Sequence, residues 1–323
     1  MPPEVSLSLA VLAIAVIVDQ LVGEYPSALH PVVWIGKGIT LALKAAPRLG
    51  WWAQFLYGAL VAVGGGAICV LVVVLALHFA SIHTILEVLI GAYLLKASFA
   101  LHELGAAGGR VLACLEKGDL PAAREALRAL CSRDPSNLDA EALTAGAIES
   151  IAENASDSVV APLFYFLFLG VAGAVGYRFV NTLDARIGYR GEYEALGKFA
   201  ARLDDVVNWI PARLTALLLL ISGFLLRLDV RGGWRILRRD GGRTPSPNAG
   251  RPMAVMAGLL GVALEKPGVY VLGDAKESLS PAKLVQARRV LALTGWLMFG
   301  LTALGVCLVR SLLGEGLAWG PLR

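Results

Sequence analysis

Six long apolar segments alternate with polar stretches along the chain, and each is close to the ~20 residues that a helix needs to cross a bilayer core. The segments are Val5–Val22, Leu56–Ala80, Ile82–Leu101, Val159–Tyr177, Ile210–Leu226 and Val290–Val309. Only Ser81 separates the second from the third, which predicts a tight helical hairpin. The pattern predicts an all-α, polytopic integral membrane protein with about five or six transmembrane or re-entrant segments and cytoplasmic amphipathic helices.

The first and fourth apolar segments each carry a further signal. The first has no basic stretch before it and no convincing cleavage site after Asp19 and Gln20, so we expect a retained span. The fourth contains Gly170, Gly173 and Gly176, which makes it a candidate for a broken helix.

The polar stretches predict helices of their own within a single membrane-embedded domain, 1–323. We expect a cytoplasmic helical insert over about 105–157, with helices at Ala106–Lys117 and Pro121–Cys131. Asp139 is then a plausible N-cap of the helix that carries Glu149. A long basic loop is expected over about 227–289.

The distribution of basic residues predicts the sidedness of the loops. If all six segments cross, the stretches 23–55, 102–158 and 227–289 share one side, and they hold most of the Lys and Arg. The positive-inside rule makes that side cytoplasmic. Six crossings place 178–208 outside despite its basic residues, so either its polar residues return into the membrane or a neighbouring span is re-entrant.

Composition excludes several classes of protein. With 57% hydrophobic residues and 17% charged residues, the chain is too apolar for an ordinary soluble domain. The net charge of +4 is scattered through loops and gives no nucleic-acid footprint. The four cysteines have no C-x-x-C spacing and the four histidines form no H-E-x-x-H motif, so we expect neither disulfides nor a zinc site.

An acidic stretch, E-S-I-A-E-N-A-S-D, precedes the fourth apolar segment. On a regular helix Glu149, Glu153 and Asp157 fall four residues apart, and Ser156 joins their stripe. Like charges at this spacing repel, and the repulsion grows where the dielectric constant falls. A cation bound among the carboxylates would offset it. A solvated acidic face before a membrane helix is the alternative, and both interpretations stay open.

A further polar stretch opens the fifth apolar segment. In A-R-L-D-D-V-V-N-W-I-P-A-R-L (Ala201–Leu214), Asp204 and Asn208 share a helix face and Asp205 pairs with Arg202. A charge near the bilayer centre costs about 2.5–3.5 kcal/mol, so such residues usually face a functional cavity. The alternative is interfacial snorkelling, which suits Arg213 but not two adjacent aspartates.

Two loops complete the set of polar candidates. The prolines and glycine of T-P-S-P-N-A-G-R-P (Thr244–Pro252) predict a tight loop that presents Ser246 and Asn248 at a helix start, either an anion cradle or a plain loop. Asp19, Glu24 and His30 form a cluster that we interpret as an interfacial turn. Carboxylates, amides and arginines suit Mg²⁺–phosphate chemistry, and no Walker, Rossmann or nucleophile-elbow motif is present. The residues alone indicate a membrane enzyme with a phosphorylated substrate.

Taken together and in order, these stretches resemble the CbiB/CobD family of cobalamin biosynthesis, adenosylcobinamide-phosphate synthase. The matching stretches are H-P-V (His30–Val32), S-R-D (Ser132–Asp134), E-S-I-A-E-N with Asp157, V-V-A-P (Val159–Pro162), N-T-L-D-A (Asn181–Ala185), G-Y-R (Gly188–Arg190), Ala201–Leu214 and S-P-N-A-G (Ser246–Gly250). The departures, at Val22–Pro26, Pro135 and Ser158, remove no carboxylate.

The resemblance implies an ATP-dependent carbon–nitrogen ligase of the inner cell membrane, with its active site on the cytoplasmic side. It would join adenosylcobyric acid to 1-aminopropan-2-ol phosphate, or a related amino-alcohol phosphate, through an acyl phosphate. The implied cofactors are ATP and Mg²⁺. The implied partners are both substrates, the lipid bilayer and other membrane enzymes of the corrinoid pathway, whereas the oligomeric state is not specified.

The roles of individual residues are hypotheses from their chemistry. The expected metal ligands are Glu149, Glu153, Asp157 and Asp184. The expected catalytic residues are Glu149, Glu153, Asp204 and Asp205. The expected nucleotide- and phosphate-binding residues are Arg133, Arg202, Asn208, Arg213, Ser246, Asn248 and Gly250.

Two other classes of function stay open. Asp204-Asp205-x-x-Asn208 and Asn181-x-x-Asp184 faintly resemble the Mg²⁺–diphosphate motifs of intramembrane prenyltransferases. A non-enzymatic transporter or scaffold would use the buried acids as an ion path. No internal repeat supports a transporter.

Overall fold

The computed structural model of the protein describes residues 3–48, 50–131, 134–189, 191 and 193–313. The first eight helices are α1 Pro3–Val22, α2 Pro31–Lys44, α3 Trp51–Ala80, α4 Thr84–Ser98, α5 Leu101–Glu116, α6 Leu120–Arg128, α7 Ala140–Ala155 and α8 Ala161–Ile187. The remaining elements are α9 Lys198–Val207, α10 Trp209–Leu225, α11 Val230–Asp240, α12 Gly250–Leu260, strands β1 Ala263–Lys266 and β2 Tyr270–Gly273, and α13 Pro281–Leu313. A 3₁₀ turn covers Ser27–Leu29, and a π-helical turn covers Ser156–Val160.

Long apolar helices confirm the predicted fold class. Among the described residues, five helical stretches are long and apolar enough to cross a membrane. They are Val5–Val22, Trp51–Ala80, Thr84–Glu116, Ala140–Ile187 and Pro281–Val309. The pair α9 and α10 is bent by 46° and makes a sixth if it counts as one broken span. The chain is therefore an all-α, multi-pass membrane protein.

The described fold divides into two compact units, and the expectation of a single membrane-embedded domain stays a prediction. The first unit comprises Met1–Ala100, Ala161–Val207 and Phe299–Arg323, and the second comprises Leu101–Val160 and Asn208–Met298. The first unit has a core built around Leu183, Ile187 and Phe179, which pack with residues of α2, α3 and α9. A side chain at Gly65 of α3 would collide with the Phe179 ring, so glycine permits this helix contact.

The second unit is organised around α7, whose residues from Leu143 to Ala152 are all buried. Helices α5, α6 and α12 pack against it. Helices α11 and α12 approach so closely that a Cβ atom on Gly258 would lie 2.5 Å from the carbonyl oxygen of Gly232. The backbones of the two helices are therefore in direct contact at these glycines.

Local sequence signals account for several helix boundaries. The Asp139 carboxylate accepts a hydrogen bond from the N–H of Ala142 at 2.8 Å, which confirms the predicted N-cap of α7. Pro121 lies in the first turn of α6, as predicted. Gly170 has φ 65° and ψ −162°, which confirms that this segment contains a broken helix.

Other boundaries differ from the prediction. The apolar segment Ile82–Leu101 is interrupted after Ser98 because Phe99 is extended (φ −129°, ψ 161°), and α5 therefore starts at Leu101 rather than at Ala106. Helix α6 ends at Arg128 rather than at Cys131. The region 227–289, expected as a loop, contains α11, α12, the β-hairpin and the start of α13.

Candidate functional site

The acidic stretch of α7 is substantially withdrawn from solvent. Glu149 is only 4% exposed, and Glu153 and Asp157 are partly buried. The regular helix ends at Ala155, so Asp157 belongs to the π-helical turn and the predicted four-residue stripe is interrupted there. Burial of Glu149 disfavours the solvated-face interpretation, since a buried carboxylate requires compensating partners.

The elements that carry most of the candidate residues pack together within the second unit. The π-helical turn lies against α10, and α12 lies against both α7 and α10. The acidic residues of α7, Asn208 and Arg213 at the start of α10, and the loop before α12 are thereby held by neighbouring elements. The second unit brings together carboxylates, amides and an arginine, the donor types that suit a cation and a phosphate.

Arg213 has a fixed orientation. Its guanidinium carbon lies 3.8 Å from the centre of the Trp209 ring, a stacked cation–π arrangement. Its Nη1 donates to the Trp209 carbonyl oxygen at 2.6 Å and to Oδ1 of Asn248 at 3.4 Å. Asn208 and Asn248 are both buried. These contacts pre-organise the guanidinium and connect α10 to the loop before α12.

The loop before α12 is a tight turn, as predicted. Oγ of Ser246 accepts hydrogen bonds from the N–H groups of Asn248 at 3.2 Å and Ala249 at 3.5 Å. A side chain on Gly250 would lie 2.6 Å from Oγ1 of Thr244, so glycine is required there. Ser246 already accepts hydrogen bonds from two backbone N–H groups of this loop. An anion would therefore be bound by side chains rather than by the backbone of the loop.

The other candidate residues belong to the first unit, where α8 packs against α9. Asp184 is on α8, and Asp204 and Asp205 are on α9. Nη1 of Arg202 lies 3.2 Å from Oδ2 of Asp205, which confirms the predicted pair. A side chain on Gly188 would collide with the Asp184 carboxylate, so glycine leaves room for that group.

The candidate residues are therefore divided between the units. Their convergence on a single ion stays a prediction. The candidate Arg133 lies outside the described residues, and so do Ser132 and Arg190 of the matching motifs. Among the described residues, no group of three or more His, Cys, Asp or Glu side chains is arranged to hold a metal ion.

Comparison with known proteins identifies the family. The family described as "CobD/Cbib protein" matches residues 12–294. This chain belongs to that family. The cobalamin biosynthesis protein CobD of Dehalococcoides mccartyi is 45% identical over 274 residues, which cover 84% of this chain and 89% of that protein. The probable cobalamin biosynthesis protein CobD of Methanothermobacter thermautotrophicus is 43% identical over 301 residues, which cover 93% and 98%. No solved structure matches.

This CobD/CbiB chain contains a buried ionic cluster that sequence analysis did not assemble. Lys96 is fully buried, and its Nζ lies 3.3 Å from Oδ1 of Asp19 and 2.8 Å from Oε1 of Glu24. The other oxygen of Glu24 lies 2.7 Å from Nε2 of His30. The sequence feature that could have revealed this cluster is a lone lysine, Lys96, inside an apolar segment. Because Asp19 and Lys96 are interior, the interfacial-turn interpretation of this cluster is corrected.

The protonation of Glu24 reflects this cluster. Burial favours the neutral acid, but the hydrogen bond with His30 and the attraction and hydrogen bond of Lys96 outweigh it. The pKa of Glu24 therefore lies below its ordinary value of 4.5. Glu24 is the anionic partner that joins His30 to Lys96.

Proposed function

We propose that this CobD/CbiB chain is an ATP-dependent amide ligase that joins adenosylcobyric acid to an amino-alcohol phosphate and forms adenosylcobinamide phosphate. The observation that carries the proposal is the packing of α7, the π-helical turn, α10 and α12, which gathers metal-type and phosphate-type donors in one unit. The relatives' role in cobalamin biosynthesis supports it.

The proposed reaction has two steps. A carboxylate is a poor acyl donor, so its oxygen first takes the terminal phosphoryl group of ATP, which releases ADP and forms an acyl phosphate. The amine of the amino-alcohol phosphate then attacks the acyl carbon, forms the amide bond and releases inorganic phosphate. The substrate ammonium must lose a proton before this attack. We propose that one of the adjacent carboxylates, Asp204 or Asp205, accepts this proton.

The residues of the second unit fit a magnesium ion by their chemistry. Glu149 offers a buried carboxylate and Glu153 and Asp157 offer partly buried ones, and Mg²⁺ prefers oxygen ligands. When bound, Mg²⁺ supplies charge neutralisation at the phosphates of ATP. The chain itself holds Glu149 and Glu153 on the buried helix α7 and Asp157 on the π-helical turn, and we assign Arg213 and Asn248 to the substrate phosphates. The assignment of Asp184 as a further metal ligand stays a prediction.

The decisive experiment measures the complete reaction. Purified protein in detergent is incubated with adenosylcobyric acid, aminopropanol phosphate and Mg-ATP, and we expect ADP and amidated corrinoid in equal amounts. Absence of turnover would contradict the proposal. Product only from a prenyl diphosphate would favour a prenyltransferase instead.

A variant tests the acidic helix. Glu153→Gln removes a proposed metal ligand while keeping the side-chain shape, and we expect turnover to fall at least about 100-fold. Excess Mg²⁺ should restore part of it. Glu116→Gln, at an exposed position of α5 in the same unit, is the matched control and should retain activity.

Asp204→Asn should also abolish turnover while membrane insertion is unchanged. Normal activity in both Glu153→Gln and Asp204→Asn would remove these assignments.

We also propose that the protein occupies the inner cell membrane with its active site on the cytoplasmic side. The excess of Lys and Arg in the stretches 23–55, 102–158 and 227–289 supports this orientation. Single cysteines introduced along 178–208 and labelled from either side of intact membranes test the sidedness of that segment. Labelling of 227–289 only from outside would contradict the orientation.

A further inference from the structure

A small cavity of about 200 Å³ lies within the second unit among α10, α11 and α12. Its accessible lining is almost entirely apolar, and two arginines are among the residues that border it. The residues that matter here are Arg213, Arg251, Leu217, Leu220, Trp234 and Leu237.

The charges that line this cavity are all of one sign. Of the described residues in its wall, two are arginines and none is acidic. The Arg213 side chain donates hydrogen bonds to two neutral oxygens, those of Trp209 and Asn248. Nε of Arg251 is buried without a hydrogen-bond partner among the described residues. Two permanently charged guanidinium groups around one small space repel each other, and an anion between them would relieve the repulsion.

The chemistry of the wall defines the class of anion. Guanidinium groups form paired hydrogen bonds with phosphate oxygens, so two arginines suit a phosphate group. Leu217, Leu220, Leu237 and Trp234 offer an apolar surface to a short aliphatic body. Pockets for drug-sized ligands usually measure about 300–1,000 Å³, and this cavity is smaller than that range. It therefore suits a small phosphate monoester better than a nucleoside triphosphate.

We propose that this cavity binds the phosphate group of the small amino-alcohol phosphate, held between Arg213 and Arg251, and that ATP binds elsewhere. The choice of substrate rests on the proposed function, whereas the ligand class follows from the cavity. Arg251 and Trp234 are new binding residues under this proposal. A membrane phospholipid carries the same phosphate on an apolar body, so the experiment must separate the two sources.

The test measures binding without turnover. The full chain in detergent is titrated with aminopropanol phosphate and, separately, with ATP in an isothermal titration calorimeter. We expect Arg251→Gln to weaken binding of aminopropanol phosphate about 10- to 100-fold, in proportion to a lost charged hydrogen bond, and to leave ATP affinity unchanged. Arg238→Gln is the matched control, because it removes one positive charge from an exposed position of α11 and should change neither affinity.

Two further measurements serve as controls for this test. Arg251→Lys keeps the positive charge but loses the paired N–H donors of the guanidinium. We expect its affinity for aminopropanol phosphate to lie between those of the wild type and Arg251→Gln, at an unchanged unfolding temperature. Protein in nanodiscs with and without phosphatidylglycerol is titrated in parallel, and we expect equal affinity for aminopropanol phosphate in both.

Three results would overturn the inference. They are unchanged aminopropanol phosphate affinity in Arg251→Gln, an equal loss of ATP affinity, and displacement of aminopropanol phosphate by phosphatidylglycerol, which would make this a phospholipid site. Intact, Arg251-dependent binding in a protein that forms no amide would instead reject the ligase function and retain the phosphate site.

Discussion

Two charged clusters in helical, largely apolar surroundings differ in how their charges are balanced. In the first unit, Lys96 contacts Asp19 and Glu24, and Glu24 also contacts His30, all within 3.3 Å. In the second unit, Arg213 and Arg251 line a small cavity whose described wall contains no acidic residue. The first cluster supplies its own counter-charges, and the second does not.

This difference separates a structural cluster from a binding cluster. Removing a charge from water is costly, and the cost is offset only by close, opposite charges and hydrogen bonds. Where the chain provides both, as around Lys96, the cluster fixes the packing of its helices. Where the chain gathers charges of one sign, a ligand of the opposite sign provides the balance. The sign balance of a cluster is thus more informative about function than its burial.

The largest expected effect is the loss of the cation in the balanced cluster. Lys96→Met leaves Asp19 and Glu24 without their shared cation, and we expect the protein to be destabilised by about 3–5 kcal/mol, because one partner of a buried ion pair is removed. Thermal unfolding in detergent, followed by circular dichroism, measures the change. Lys37→Met, at an exposed position of α2 in the same unit, is the matched control and should unfold like the wild type.

A double variant sharpens the same comparison. Asp19→Asn combined with Lys96→Met removes one charge of each sign, so we expect part of the lost stability to return. If Lys96→Met alone unfolds at the wild-type temperature, the cluster does not hold the first unit together and its contrast with the arginine cavity disappears.

The next effect concerns the unbalanced cluster. Arg213→Lys keeps one positive charge but loses the planar stack on Trp209 and the fork for a phosphate. We expect kcat/KM for aminopropanol phosphate to fall about 10- to 100-fold, with little change in unfolding temperature. Steady-state kinetics with each substrate varied in turn provide the measurement.

The control for the Arg213 variant is the same substitution at another arginine of the second unit, which is exposed. Arg238→Lys makes the same chemical change at an exposed residue that does not line the cavity, and it should leave the kinetics unaltered. A fall in unfolding temperature equal to that of Lys96→Met would show that Arg213 has a structural role, contrary to the distinction between the two clusters.

The sequence predicted those features that depend on local patterns. Hydrophobic segment length gave the membrane helices, the residue type at Asp139 gave a helix cap, and Gly170 indicated a break in a helix. The ordered motifs gave the family. Each of these signals is contained in a few neighbouring positions.

Features that depend on distant contacts were not predicted. Lys96 and Asp19 are far apart in sequence, and only folding shows that they form a pair. The π-helical turn at Asp157 and the extended backbone at Phe99 interrupt segments that the local pattern predicts as regular helix. Arg251 belongs to the loop stretch Thr244–Pro252, yet its proposed role became apparent only when the cavity showed that it shares a lining with Arg213.

The smallest expected effect is a pH dependence in the balanced cluster. Glu24 has a pKa below its ordinary value of 4.5, since its contacts with His30 and Lys96 outweigh burial. A lowered pKa means that Glu24 adds stability above pH 4.5, and that this contribution is lost as the pH falls through the lower, folded-state value. Unfolding temperatures measured from pH 7 to pH 3 should therefore decline more steeply in the wild type than in Glu24→Gln, whose amide does not titrate. Glu116→Gln, which removes an exposed carboxylate from the second unit, should keep the wild-type slope. Parallel slopes for the wild type and Glu24→Gln would mean that the charge of Glu24 does not stabilise the fold, and the cluster around Lys96 would then not be balanced in the way its geometry indicates.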